Sequence, residues 1–188
     1  MTYWLIGLGL VFLLISGLWL FVPALYGLPW IPTREKRIRR ALDLAKLQPD
    51  ETLYDLGAGD GRVLVMAAKE FGARAVGIEI GPMQCLVGWL RILFNGFRTR
   101  VQMRCGDFYK ADISDADVVF VYATSSQTSK LLPLLERELR PGARVVSIAA
   151  DFRGWQPSKV DREMLIFVYQ MPPVRAVEEP VLFSNGVK

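Results

Sequence analysis

A glycine-rich turn between a short β-type run and a helix constrains the fold of this chain most. Thr52–Tyr54 has strand character, Asp55 ends it, and residues 63–71 are helix-like. Between them, glycine occupies three alternate positions: Gly57, Gly59 and Gly61. Glycine tolerates positive φ and lets a ligand approach the main chain without meeting a Cβ. The pattern therefore predicts a nucleotide-sized cradle at the carboxyl end of a parallel strand.

The glycine spacing differs from that of a dinucleotide-binding turn. The dinucleotide pattern Gly-x-Gly-x-x-Gly requires glycine where this chain has Arg62. The spacing Asp55-x-Gly57-x-Gly59-x-Gly61 instead resembles the first motif of class I (seven-stranded) methyltransferases. In that family the strand-end acid faces the cationic methionine end of S-adenosylmethionine. The resemblance assigns these residues to cofactor binding: Asp55, Gly57, Ala58, Gly59, Asp60 and Gly61.

Two further strand ends carry acids in the order that this cofactor requires. A β-type run ends at Glu79, before Ile80, and its carboxylate can accept hydrogen bonds from both ribose hydroxyls. The run Val101–Cys105 precedes Gly106-Asp107-Phe108. In class I methyltransferases a Gly-Asp pair at this position contacts adenine, and the next residue lines the ring. We assign all five residues to the cofactor site: Glu79, Ile80, Gly106, Asp107 and Phe108.

The N-terminus is apolar and uncharged as far as Arg34. Tyr3–Val22 contains twenty apolar or small residues, enough for a helix to cross a hydrocarbon core of about 30 Å. A cleaved signal peptide would need a basic n-region, which Met1-Thr2 does not supply. A buried core helix rarely needs so long an apolar run. We therefore expect residues 1–28 to form a retained transmembrane anchor.

The positive charge of the chain lies in one short segment. Residues 34–40 hold five basic side chains and one acid, and their net +4 equals the charge of the whole chain. This distribution argues against a nucleic-acid surface. It suits anionic lipid head groups, and the positive-inside rule places the domain that follows in the cytoplasm, with the N-terminus outside. Residues 29–48 are thus predicted to be a juxtamembrane Pro-rich and basic segment, with a helix from Thr33 as N-cap to Leu47.

The chain contains no histidine, which excludes imidazole bases and histidine metal ligands. Its two cysteines, Cys85 and Cys105, fall in a predicted helix and a predicted strand. We expect buried thiols in a reducing compartment rather than a zinc site or a disulfide, and we expect no metal.

Strands and helices alternate from residue 49 to 188, which predicts one α/β domain with a Rossmann-like, mostly parallel sheet. The two last strands, Met164–Gln170 and Pro180–Ser184, are expected to pair as an antiparallel hairpin. The helix Met83–Phe94 has Arg91 as its only charge. An apolar helix of this kind is either packed deeply on the sheet or in contact with a membrane or a second protomer.

The chain also resembles one subfamily over most of its length. Pro29-Trp30-Ile31-Pro32-Thr33, the glycine motif continuing to Val63, Gly142–Val146 and Trp155-Gln156-Pro157 are similar to membrane-anchored protein-lysine methyltransferases. Mitochondrial members of that family act on the ring-forming membrane subunit of ATP synthase and on the adenine nucleotide translocase. The resemblance implies a lysine acceptor in a membrane protein and adds Thr33 to the cofactor site. Two alternatives stay open: methylation of a lipid or other small membrane-soluble molecule, and a non-catalytic cofactor-binding module.

Four residues are candidates for the acceptor side. Tyr122 and Thr124 follow the fourth strand, Asp151 follows the fifth, and Trp155 either contacts the acceptor or serves as a structural cap. Tyr122 lacks the Asn/Asp-Pro-Pro-Tyr setting of enzymes that methylate nucleobase or glutamine nitrogens. A short run of hydroxyl residues follows Tyr122, where the family resemblance leads us to expect a more apolar loop.

Overall fold

The computed structural model describes residues 2–25 and 32–176. Two helices come first, α1 (Thr2–Leu25) and α2 (Glu35–Ala45). The elements that follow are β1 (Thr52–Leu56), α3 (Arg62–Phe71), β2 (Arg74–Glu79), α4 (Pro82–Phe94), β3 (Val101–Cys105), a 3₁₀ turn (Phe108–Lys110), β4 (Val118–Tyr122), α5 (Ser125–Glu138), β5 (Arg144–Ile148), β6 (Lys159–Asp161) and β7 (Ile166–Gln170).

The strands form one seven-stranded sheet in the order β3-β2-β1-β4-β5-β7-β6. Strands β1 to β5 are parallel, β7 runs antiparallel to β5, and β6 runs antiparallel to β7. The strand order reverses between β1 and β4, and a doubly wound sheet binds its ligand at the carboxyl ends beside such a reversal. The predicted mostly parallel sheet with an antiparallel end is confirmed.

Helices α2, α3 and α4 cover one face of the sheet, and α5 covers the other. Alternate strand residues serve the two faces, as the period of two in a strand requires. Leu53 and Phe120 pack with Ile38, Leu42 and Leu64 on the first face. The second core is formed by these residues: Tyr54, Val119, Leu131, Leu135, Phe152, Trp155 and Tyr169.

Helix α2 belongs to the core of the α/β domain, although the sequence places it in a separate juxtamembrane segment. It packs on β5 and β7, and Arg39 binds Glu70 of α3 at 2.6 Å. Arg40 binds Asp161 of β6 at 2.7 Å, and the amine of Lys159 donates to the carbonyl of Leu44 at 2.7 Å. The helix begins at Glu35 with Arg34 at the N-cap position, so Thr33 is not its N-cap.

The C-terminal hairpin has a different partner from the predicted one. Strand β7 lies within the predicted Met164–Gln170, but it pairs with Lys159–Asp161. This three-residue strand is too short to give an alternating pattern that sequence reasoning can detect. The predicted partner Pro180–Ser184 lies outside the described residues.

The two cysteines form a disulfide, so the prediction of two free thiols is wrong. Cys85 of α4 and Cys105 of β3 have Cα atoms 6.0 Å apart, within the range that a disulfide bridges. Sequence reasoning places the two residues in separate elements but cannot show that α4 lies directly over β3.

The predicted transmembrane helix requires a correction. Helix α1 covers Thr2–Leu25, and its side chains are described for residues 3–17. In the part of the chain that the structure describes, no helix is both long and apolar enough to cross a membrane.

Candidate active site

The glycine turn joins β1 to α3 at the carboxyl edge of the sheet. Gly57, Gly59 and Gly61 all have positive φ, at 95°, 53° and 73°. The N–H groups of Gly57 and Ala58 donate to the carbonyl of Ile78 at 2.9 and 3.1 Å, which fixes the turn against β2. A Cβ built on Gly57 would meet nothing within 4 Å, so open space lies over the start of the turn.

Gly61 has a different role, because it lets two helices approach each other. A Cβ on Gly61 would lie 3.3 Å from the Cα of Gly88 in α4. Gly61 is also the N-cap residue of α3, in the left-handed conformation. The third glycine of the motif is therefore explained by backbone conformation and helix packing.

Glu79 connects the glycine turn to the start of α4. Its buried carboxylate accepts hydrogen bonds from the N–H of Gly59 and the N–H of Gly81, both at 2.8 Å. Each carboxylate oxygen can accept more than one hydrogen bond, so capacity remains for hydroxyl donors from a ligand. Glu79, the residue predicted to bind the ribose, thus lies directly beside the turn. Ile80 follows Glu79 in the loop that leads into α4.

Asp60 is held by two arginines that sequence reasoning did not assign to the site. Its buried carboxylate binds Arg62 at 2.6 Å and Arg91 of α4 at 2.7 Å. Burial raises the pKa of Asp60. The hydrogen bond from Arg62 and the charge of Arg91 lower it by a larger amount, so the pKa lies below its ordinary value. Asp60, predicted to bind the cofactor, is therefore an ionised carboxylate whose charge is compensated by two arginines.

Arg62 also reaches the segment before α2. Its guanidinium donates to the carbonyl of Thr33 at 3.1 Å. This contact brings Thr33 beside the glycine turn, where the family resemblance places it. The sequence does mark Arg62 as unusual, because this residue occupies the position at which a dinucleotide-binding turn has its third glycine.

Asp55 is buried and keeps a different electrostatic character from Asp60. Burial, followed by the charges of Glu79 and Asp60, raises the pKa of Asp55 well above its ordinary value of 3.8. A carboxylate that is costly to ionise alone is stabilised by a cation brought next to it. The turn therefore favours a positively charged ligand group over a phosphate.

The end of β3 lies next to Glu79. Cys105 is in register with Glu79, and the N–H of Gly106 donates to the carbonyl of Glu79 at 2.8 Å. Asp107 accepts from the N–H of Tyr109 at 3.0 Å, which caps the 3₁₀ turn, and the ring of Phe108 lies 4.5 Å from that of Tyr109. The predicted ribose and adenine residues thus occupy neighbouring strand ends.

These residues fit S-adenosylmethionine. Open space over Gly57, the carboxylate of Asp55 and the acceptor atoms of Glu79 match a cationic group joined to a nucleoside. The residues that would hold it are the turn 55–61, Glu79 and the segment 106–108. When bound, S-adenosylmethionine supplies an electrophilic methyl group on a sulfonium.

A cavity of about 550 Å³ lies beside this region, and we call it the Tyr122 cavity. Its walls come from the start of α2, the end of β4 and the β6–β7 turn: Pro32, Thr33, Arg34, Lys36, Arg37, Tyr122, Glu163, Met164 and Leu165. The guanidinium of Arg37 lies 5.6 Å from the centre of the Tyr122 ring, and its Nε donates to the carbonyl of Met164 at 2.7 Å. The lining thus combines one aromatic ring with three cations and one carboxylate.

The four acceptor candidates do not share one environment. Tyr122 lines the cavity, whereas Thr124 is the N-cap of α5 in a capping box with Gln127. Asp151 is exposed in the loop after β5. Trp155 is buried, stacks on Phe152 at 5.1 Å and donates its indole N–H to Glu136 at 3.1 Å. Trp155 therefore has the contacts of a structural cap.

The fold and the site define a class I S-adenosylmethionine-dependent methyltransferase. Comparison with known proteins agrees: residues 55–159 match the model of the ANTKMT methyltransferase domain. The chain belongs to that family, whose members are S-adenosylmethionine-dependent protein-lysine methyltransferases.

Two relatives and one solved structure illustrate the similarity. A protein-lysine N-methyltransferase of Saccharolobus islandicus (strain REY15A) is 43% identical over 133 residues, covering 70% of this chain and 83% of that protein. The adenine nucleotide translocase lysine N-methyltransferase of Mus musculus is 32% identical over 140 residues, covering 74% of this chain and 60% of that protein. An RNA methyltransferase from Salinibacter ruber, solved with S-adenosyl-L-homocysteine, superimposes with a TM-score of 0.75 at 38% identity, covering 79% of this chain and 98% of that one.

Replacing Glu79 with alanine tests the ribose assignment. We expect S-adenosylmethionine to bind more weakly by about 1.5–3 kcal/mol, the range for hydrogen bonds to a charged group. Titration calorimetry measures the change. Glu138→Ala, at the far end of α5, is the control and should bind normally. Equal affinity in a folded Glu79→Ala protein would refute the assignment.

Replacing Asp55 with asparagine separates stability from binding. The folded-state pKa of Asp55 is above 3.8, so ionisation costs stability as pH rises from about that value. Asp55→Asn should therefore unfold at higher urea concentration than the parent near pH 7 without cofactor, and the difference should vanish below about pH 3. The same variant should bind S-adenosylmethionine less tightly, because an amide cannot neutralise a sulfonium.

Asp112→Asn is the matched control for this measurement. The exposed Asp112 accepts from the N–H of Ser114, which lowers its pKa, so its replacement should give no gain in stability near pH 7. Parallel stability–pH curves for Asp55→Asn and the parent would contradict the expectation.

Proposed function

We propose that this enzyme methylates the side chain of a lysine in a membrane protein and is itself attached to the membrane through α1. The observation that carries the proposal is the Tyr122 cavity, which Arg62 connects to the glycine turn through Thr33. A cavity of about 550 Å³ is large enough to admit a lysine side chain. The names of the family and of the relatives above support lysine as the acceptor.

The charges around the Tyr122 cavity suit the chemistry of an amine acceptor. A lysine has an unperturbed pKa of about 10.4, so at neutral pH nearly every molecule carries the proton that blocks attack. Burial and nearby positive charge both lower such a pKa. Arg34, Lys36 and Arg37 supply that charge, and the ring of Tyr122 offers a surface for the aliphatic part of the side chain.

Glu163 is the one acid among the residues that line this cavity. We infer that it attracts the protonated lysine at the entrance and that the three cations then favour loss of the proton inside. The roles that we assign to the turn 55–61, Glu79 and residues 106–108 hold the cofactor on the other side. Transfer then depends on alignment of the two groups in a water-poor site.

Attachment to a membrane is supported by the surface of α1. Its apolar side chains between Tyr3 and Ile15 are exposed, from 41% to 88%. A surface of this kind is stable in water only when a partner or a bilayer covers it.

Six residues lie between Leu25 and Pro32, so the end of α1 and the Tyr122 cavity lie within about 25 Å of each other. A membrane-bound acceptor would meet the active site by diffusion in two dimensions.

The basic segment 34–40 contributes less to lipid binding than its charge suggests. Arg37, Arg39 and Arg40 contact Tyr122, Glu70 and Asp161 within the domain. We retain the inference that the domain faces the cytoplasm, where S-adenosylmethionine is made. Alkaline extraction of membranes separates a spanning α1, which stays in the pellet, from a peripheral one.

A labelling experiment tests the acceptor. Membranes from a strain that lacks the enzyme are incubated with the full-length protein and S-adenosylmethionine carrying a tritiated methyl group. We expect the label in protein, and acid hydrolysis should release it as methylated lysine. Label extracted with lipids would favour the small-molecule alternative, and label lost on ribonuclease treatment would favour RNA, the acceptor named for the Salinibacter ruber structure.

Replacing Tyr122 tests whether its cavity receives the acceptor. Tyr122→Ala should lower the rate of methyl transfer by about tenfold or more, because the acceptor loses its positioning surface. Cofactor affinity should stay unchanged, because Tyr122 lies on the acceptor side. Tyr122→Phe keeps the ring and is the matched control, with a rate near that of the parent. A fall in cofactor affinity equal to the fall in rate would place Tyr122 in the cofactor site instead.

A further inference from the structure

Exposed apolar side chains are concentrated on two helices. Among the residues that the structure describes, eleven large exposed apolar side chains lie on α1 and three on α4, and the other three are scattered in the C-terminal part. The three on α4 are Leu86, Trp89 and Phe94, exposed by 48%, 46% and 82%. A soluble protein rarely exposes a Trp and a Phe close together unless a partner or a membrane covers them.

The fold explains why this face of α4 is uncovered. The opposite face packs on the sheet through Cys85, Gly88 and Ile92, which are buried. Leu86 and Trp89 are three residues apart and share the outer face with the half-buried Leu90 and Leu93. Helix α4 is thus apolar on both sides, with only one side used by the core. The inner face fits the first alternative from the sequence, packing on the sheet, and the second alternative, contact with a membrane or a second protomer, concerns the outer face.

The charges near this face indicate the kind of surface that covers it. Residues 82–100 contain three arginines and no acid. Arg91 and Arg100 are paired inside the domain with Asp60 and Asp50, and the guanidinium of Arg98 lies 6.0 Å from the centre of the Trp89 ring. A tryptophan flanked by arginine is typical of the boundary between lipid tails and head groups.

Continuity with α1 favours a bilayer as the occupant. Helix α1 packs against α4, so the exposed apolar side chains of both helices belong to one region of the molecule. The apolar environment that covers α1 therefore also lies next to the outer face of α4. A protein partner would have to cover this face while leaving room for α1.

We propose that the outer face of α4, formed by Leu86, Trp89 and Phe94, lies in the interfacial layer of the membrane that holds α1. This inference rests on the membrane attachment proposed above. Gly81, the N-cap residue of this helix, donates its N–H to Glu79, and Arg91 within the helix binds Asp60. The lipid-facing helix therefore also supports the cofactor turn, and the catalytic domain has a fixed orientation to the bilayer.

Photo-crosslinking of the full-length chain tests this proposal. The protein is reconstituted in vesicles of phosphatidylcholine and phosphatidylglycerol, with Phe94→p-benzoylphenylalanine as the probe. The matched control carries the same probe at Lys130, an exposed position of α5 on the other face of the sheet. Each protein is floated with the vesicles, irradiated and analysed by mass spectrometry.

We expect about tenfold more lipid adduct at position 94 than at position 130, as for an apolar face lying in the head-group boundary. Both variants should bind S-adenosylmethionine like the parent. The same probe at Leu86 replaces the first if the Phe94 variant does not bind it.

Two results would overturn the proposal, and they differ in what else they affect. A protein that floats with the vesicles but crosslinks at position 94 to a second copy, or gives no more lipid adduct than position 130, leaves the membrane attachment intact and refutes the α4 surface. A protein that does not float refutes both. Methylation of lysine in a soluble peptide does not require the membrane, so this activity is expected whichever of the two results is obtained.

Discussion

The carboxylate of Asp60 binds arginines from two helices, and the arrangement of the active site depends on these ion pairs. Arg62, at the start of α3, also donates a hydrogen bond to the carbonyl of Thr33. Arg91 lies in the C-terminal half of α4. Removing one partner of a buried pair is costly, because it leaves a charge without compensation. One acid thereby fixes the glycine turn relative to both the Tyr122 cavity and α4.

The neutralisation of Asp60 also determines what the turn can bind. Three acids lie close together in Asp55, Asp60 and Glu79. Because two arginines compensate Asp60 and backbone N–H groups compensate Glu79, Asp55 retains the strongest need for a cation. A dinucleotide-binding turn of the same shape offers its N–H groups to a pyrophosphate. The difference in ligand class therefore follows from side-chain charge, on a similar backbone.

Sequence patterns are sufficient where the determinant is local. The glycine turn, the acid at Glu79 and the alternation of strands predict the sheet and the cofactor edge. Contacts between distant segments are not predictable in this way: the pairing of β6 with β7, the disulfide between Cys85 and Cys105, and the ion pair of Arg91 with Asp60. Each depends on which elements become neighbours after folding. The role of Thr124 as N-cap of α5 is local by contrast, and its capping box with Gln127 can be recognised in the sequence.

The attachment of α2 has a consequence for how an acceptor is selected. Arg37 and Arg40 on α2, and Lys159 on β6, connect this helix to the hairpin that forms the opposite wall of the Tyr122 cavity. We expect walls joined at several points along their length to move little relative to each other. The site is therefore shaped before its substrate arrives, and little conformational entropy is lost on binding. In the function that we propose, discrimination among lysines then depends on whether the protein surface around each one fits this opening.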